Sequence, residues 1–270
     1  MNARLFAAVF GTQARKLMSY RADFWLTAVV TFFVEFSVVY FLWTSIYRSS
    51  GVSTVAGMSL NAMLLYYVAA LLLGKIVRGQ ERDLTISTEI YEGTLTRYLL
   101  YPSNYFGMKY AEHLGLMVPA IVEMLLFGVA AMFVVRPGSA GDISAATIAM
   151  TVVSVVAANF LQFALLFPIQ AVGFWADNVW ALLVMYRFVS QMLGGLFLPL
   201  NLFPEWSQPI VDLLPFKYLY YAPATTLLGQ TGTSEWLKGL AITLAWSAIA
   251  ALAGRLVWKR GTLQYTGVGI

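Results

Sequence analysis

FWLTAVVTFFVEFSVVYFLWTSI, residues 24–46, decides the fold: it is an apolar run carrying a single charge, Glu35. A helix of roughly 20 apolar residues crosses the hydrocarbon core of a bilayer, and this run is long enough. Phe32, Phe33, Phe36, Tyr40, Phe41 and Trp43 cover most sides of that helix, which fits lipid and helix packing better than a ligand cage. Further apolar blocks follow at 58–77, 105–135, 144–169, 179–198 and 236–258. Together they predict an all-α, polytopic membrane protein with about six transmembrane helices in a single domain over 1–270.

Composition agrees. Of 270 residues, 60% are hydrophobic and 11% charged. Soluble domains sit near half apolar and about a quarter charged. Cysteine is absent, which excludes disulfides, thiol chemistry and cysteine-ligated zinc. His113 is the only histidine, so one subunit cannot build a multi-histidine metal or haem site. The net charge of +4 is spread along membrane edges, where it reads as orientation charge and not as a nucleic-acid surface.

Residues 1–21 place Leu5, Phe6, Val9, Phe10 and Leu17 on one helical face, flanked by Arg4, Arg15, Lys16 and Arg21. Gln13, Arg15 and Lys16 interrupt the apolar run a signal peptide would need, so an interfacial amphipathic helix is predicted. The block 105–135 is too long for one simple span and contains Glu112, His113, Pro119 and Glu123, which predicts a polar first turn or a kink. Arg136-Pro137-Gly138 ends it, Pro168 marks the inner end of the fourth span, and GFWADNVW forms a tight turn before the fifth. Residues 199–223 combine five prolines with many large apolar side chains. This stretch is too greasy for a solvated loop and too broken for a span, so a re-entrant pair of half-helices is predicted over 199–228.

Lys and Arg placement sets the orientation. With both termini inside, the inner segments hold Arg4, Arg15, Lys16, Arg21, Lys75, Arg78, Arg82, Arg97, Lys109, Arg255, Lys259 and Arg260. The outer ones hold Arg48, Arg136, Lys217 and Lys238.

The one long polar stretch, 78–97, separates spans two and three. Its second part, STEIYEGTLTRYLL (87–100), reads as a short amphipathic helix with Ser87 and Thr88 as caps, Glu89 in the first turn, and Tyr91 and Leu95 four apart on one face. Gly93 permits close backbone approach by a partner. A solvated connector lying on the membrane is the plainer alternative. The chain lacks a phosphate-binding Gly-x-x-x-x-Gly-Lys-Ser/Thr loop, a Ser/His/Asp arrangement and a zinc-protease signature, so no catalytic, cofactor-binding or metal site is predicted.

Glu35, Glu112, His113 and Glu123 are ionisable groups in or near spans. Such groups line pathways or make structural hydrogen bonds, and Glu35, near mid-span, is the best pathway candidate. Arg187 pairs with Glu123 or Asp177, or snorkels to the inner surface.

The run Ile90-x-x-Gly93-Thr94-Leu95-x-x-x-Leu99-Leu100-x-Pro102 resembles the cytoplasmic coupling segment of type-2 ABC export permeases, in their short bacterial branch without a fused ATPase domain. Tyr20-Arg21-x-x-Phe24-Trp25, Phe174-Trp175, Gly195-x-x-x-Pro199, Phe203-Pro204-x-Trp206 and Leu214-Pro215-Phe216 resemble that family in order and spacing. The resemblance covers most of the chain. It implies an exporter subunit in the bacterial inner membrane, paired with a second permease, itself or a similar one, in contact with membrane lipids and driven by separate cytoplasmic ABC ATPase subunits. It assigns ATPase coupling to Glu89, Ile90, Tyr91, Glu92, Gly93, Thr94, Leu95 and Arg97 within a segment 78–104. The rival readings are a passive channel, a membrane scaffold, and an intramembrane enzyme without a recognisable motif.

Overall fold

The computed structural model describes residues 2–19, 21–79, 85–101, 103–134 and 144–267, all helical or irregular apart from one isolated bridge between Val55 and Met58. Arg136-Pro137-Gly138, Arg82, Pro102 and Tyr20, which the sequence reading used, lie outside them. The predicted N-terminal helix forms as α1 (Ala3–Ser19), and the first span as α2 (Arg21–Ser50). The second span is α3 (Leu60–Arg78), capped by Ser59, whose Oγ accepts from the Ala62 N–H at 3.3 Å. The polar stretch holds two short helices, α4 (Thr85–Tyr91) and α5 (Leu95–Leu99).

The block after it divides into α6 (Tyr105–Gly115) and α7 (Met117–Val134). The physical cause is local. Pro119 has no N–H to give the Gly115 carbonyl, so the ladder breaks at Leu116. Gly115 is also where α1 crosses, since a Cβ there would fall 2.8 Å from Gln13 Cβ and 2.9 Å from the Phe10 carbonyl oxygen. The predicted kink is therefore present, with a tertiary contact built on it.

Helix α8 (Ala145–Ala171) begins at Ser144, whose Oγ caps Thr147 at 3.1 Å. It runs past Pro168 into a 3-10 turn, Val172–Phe174, so the proline does not mark its end as predicted. The final helix of the fold packs along α8 at this point: a Cβ on Gly254 would lie 3.0 Å from Phe167 and 3.6 Å from Pro168.

The fifth apolar block departs from expectation. Its helix, α9 (Trp180–Leu193), has 14 residues and rises about 21 Å, short of the roughly 30 Å hydrocarbon core. Gly194 and Gly195 end it, Gly195 at φ 89°. A Cβ on Gly194 would meet Tyr220 at 2.5 Å and the Phe216 carbonyl at 3.0 Å. The irregular exit is bonded from other elements. Tyr66 and Tyr67 of α3 donate to the Gly195 and Phe197 carbonyls at 2.8 and 3.1 Å, and the Tyr221 N–H donates to Gly194 at 2.9 Å. Non-helical backbone surrounded by apolar groups persists only when its polar groups are bonded in this way.

Residues 199–228 contain short helical pieces: 3-10 turns at Leu200–Leu202, Glu205–Ser207 and Phe216–Tyr218, then α10 (Gln208–Leu213) and α11 (Tyr221–Leu227). Helix α11 packs on α3 and α8, with Tyr220 and Ala224 fully enclosed. The chain closes with α12 (Thr233–Gly261), whose largest contact is with α8.

Five helices among the described residues are long and apolar enough to span: Trp25–Ser50, Leu60–Arg78, Tyr105–Val129, Ala145–Phe174 and Thr233–Gly261. They are not equivalent. The apolar window of α3 is 78% buried, against 11% for α2 and 22% for α12. Helix α3 is thus the axis of the bundle, and α2 and α12 present long apolar faces outward. Lipid tails are as apolar as these faces, so close packing and buried hydrogen bonds, not the hydrophobic effect, hold the helices to one another.

Candidate functional site

The polar stretch between α3 and α6 is the part of the chain whose side chains are most cross-wired to the bundle. Helix α4 starts at Thr85, earlier than the predicted caps Ser87 and Thr88. Its early N–H at Ile86 is satisfied from another helix, by Gln170 Oε1 of α8 at 2.9 Å. The following 3-10 turn lies flat on α4, since a Cβ on Gly173 would come 3.4 Å from Ser87 Cα.

Glu89, expected in the first turn and assigned to ATPase coupling by the resemblance, is buried. Tyr105 donates to its Oε2 at 2.6 Å and Lys109 to its Oε1 at 2.6 Å, and Lys109 also donates to Glu112 at 2.9 Å. The Lys109 side chain is 3% exposed, and its ammonium stands 4.4 Å from the Tyr98 ring centre. Two carboxylates and an aromatic face thus replace the hydration of one cation, while the Tyr105 phenol bonds the Glu89 carboxylate.

Helix α4 ends at Tyr91, and two residues on Gly93 takes φ 73°, a conformation that favours glycine. The break separates Tyr91 from Leu95, so they do not share one helical face as predicted. Leu95 is fully buried with Ile86, Ile90, Tyr105, Met108, Phe163 and Phe167, while Tyr91 is exposed. Tyr265, beyond the end of α12, closes the break: its hydroxyl donates to the Gly93 carbonyl at 2.7 Å and accepts from the Thr96 N–H at 3.1 Å. Trp258 of α12 stacks on Tyr105 with centroids 4.4 Å apart. Gly261 is needed there, because a Cβ would come within 2.0 Å of the Phe174 ring.

Of the eight predicted coupling residues, Glu89, Ile90 and Leu95 face inward, Gly93 and Thr94 are half-buried, and Tyr91, Glu92 and Arg97 are exposed. Leu99, Leu100 and Tyr101 extend the exposed surface, Leu100 at 79%. The exposed Arg97 guanidinium is raised in pKa by its hydrogen bond to the Tyr98 hydroxyl, at 3.0 Å, and stays charged. The sequence reading did not single out Lys109, Tyr105, Gln170, Trp258 or Tyr265. Lys109 alone carried a signal, a cation inside an apolar block.

The other ionisable candidates are dispersed. Glu123, one of the partners left open for Arg187, pairs with Lys75 at 3.1 Å. His113 Nε2 lies 2.9 Å from Asn159 Nδ2, which also donates to the Ile76 and Val77 carbonyls and ties the end of α3 to α8. Glu35 on α2 is half-buried, and its enclosed Oε2 has no hydrogen-bond partner among the described residues. Among the described residues, no group of three or more His, Cys, Asp or Glu side chains could hold a metal ion.

These features define a polytopic, all-α membrane protein whose long helices are bonded to a short polar helical element. The family model of the ABC-2 family transporter proteins matches residues 33–269, and the chain belongs to that family. Its members are non-catalytic permeases. Neither the curated proteins nor the solved structures gave a match.

Proposed function

We propose that the chain is the translocation subunit of an ATP-driven exporter, with six spans, working as a dimer with separate ATPase subunits. It moves a lipid-like, glycan or amphipathic drug-like substrate outward through the subunit interface. The observation that carries this reading is the wiring of α4 and α5. A motor outside the membrane needs a short, stiff element that passes motion to several spans at once. Here that element is tied to α6 through Glu89–Lys109, to α8 through Gln170, and to the end of α12 through Tyr265. A scaffold or passive channel has no use for such a linkage. Residues 199–228 act as the re-entrant closure of the outer side, and α9 with its bonded exit supplies the sixth crossing. Glu35 is the candidate pathway group. The partner permease covers part of the apolar face of α2.

Two experiments test this. Purification in mild detergent is expected to bring down an ABC ATPase in equal amount with the permease; recovery of the permease without any ATPase refutes the assignment. The absence of native cysteine permits a clean topology test. Cysteines placed at Ser50, Ser139 (outside the described residues) and Ser234 are expected to react with an impermeant thiol reagent on intact cells. Ser87 is 6% exposed and would escape reagent on either side, so the inner position is read at exposed Thr88 instead. Labelling at Thr88 with protection at the other three inverts the orientation.

A further inference from the structure

A cavity of about 270 Å³ lies where α1, the end of α3, α4, the later part of α6 and the last turns of α8 converge. Water occupies roughly 30 Å³ in the liquid, so the cavity admits a group several times that size. Its lining carries charge of both signs: Lys16, Arg78 and Lys109 against Glu89 and Glu112. Lys109 is spent on the two carboxylates, which leaves that cluster with net negative charge. Glu112 contributes one oxygen to Lys109 and keeps its side chain 26% exposed. Lys16 makes no ion pair among the described residues and stands in the last turn of α1, an amphipathic helix.

We propose that this cavity binds a zwitterionic phosphoethanolamine group, the headgroup of a membrane phospholipid. The phosphate sits against Lys16, and the primary ammonium donates to Glu112. Basic pockets between helices at the membrane edge hold phosphate headgroups in this manner. The carboxylates select among them. An anionic headgroup without an amine leaves Glu112 facing negative charge, and a trimethylated amine offers no N–H to accept from. This inference does not depend on ATPase coupling.

The test is native mass spectrometry of the purified full-length chain in micelles containing equal amounts of phosphatidylethanolamine, phosphatidylcholine and phosphatidylglycerol. Phosphatidylethanolamine is expected to be retained in preference to both others. Lys16→Gln, on the exposed side of α1, is expected to lower its retention about fivefold, the weight of one basic residue at a lipid surface. Glu112→Gln is expected to erase the preference over phosphatidylcholine while leaving phosphatidylcholine retention unchanged. Equal retention of the three lipids, a preference for phosphatidylglycerol, or unchanged retention in Lys16→Gln overturns the proposal. Adding inorganic phosphate or free phosphoethanolamine separates the sources: displacement of lipid by either one at micromolar concentration assigns the cavity to a soluble phosphate compound and refutes the lipid.

Discussion

Lys109→Met is expected to cost about 3–5 kcal/mol and to lower the unfolding midpoint in detergent. The ammonium holds Glu89 and Glu112 at 2.6 and 2.9 Å, and Glu89 is itself only 9% exposed. Removing the cation leaves Glu89 charged and enclosed, and it must then be protonated or exposed by opening α4 from α6. Adding Glu89→Gln is expected to recover much of the loss, because the amide oxygen still accepts from Tyr105 and no buried charge remains. Glu112 is more exposed and can be hydrated once Lys109 is gone. Thermal unfolding followed by size-exclusion chromatography reads the series. A single mutant with a wild-type midpoint would mean that the three charges are solvated and that α4 is not held through them.

Replacing Tyr91 and Leu100 together by alanine is expected to abolish ATPase co-purification without lowering the unfolding midpoint. Both side chains are exposed, at 44% and 79%, and flank the break at Gly93. Large apolar side chains in such a position act as interface anchors, each worth about 2 kcal/mol or more, and 2 kcal/mol is roughly 30-fold in affinity. Leu95→Ala supplies the contrast. That side chain is fully buried and its truncation costs about 2–5 kcal/mol of stability, so its effect on the partner comes through loss of fold. If the Tyr91/Leu100 variant retains its ATPase at normal stoichiometry, docking lies elsewhere and the scaffold and channel readings gain.

Much of the membrane organisation was legible because it depends on local quantities. Apolar length located α2, α3, α8 and α12, and the excess length of block 105–135, with Pro119 inside it, led to the kink found between α6 and α7. The family resemblance rested on short-range motifs that survive in the linear sequence, and the family match bears it out over residues 33–269. The distinct character of the stretch after α3 was equally readable, since so many polar residues stand out against this composition.

What the sequence by itself determined is therefore an all-α membrane protein of a permease family, with its long helices placed to within a few residues and its polar connecting element singled out. Only the tertiary structure decided which way that element's side chains face and where α9 ends. Leu95 and Glu89 have apolar and acidic character that suits either a partner's surface or the interior; the interior is chosen by Tyr105, Lys109 and Phe167, which come from α6 and α8. Helix α9 ends at Leu193 inside an apolar block because Tyr66 and Tyr67, 129 and 130 residues distant from the carbonyls they reach, satisfy the backbone beyond it. Tyr265 bonds Gly93 across 172 residues for the same reason. Away from water, a broken helix must find its hydrogen bonds within the protein, and the groups that provide them are set by how the chain packs, not by what precedes or follows them in sequence.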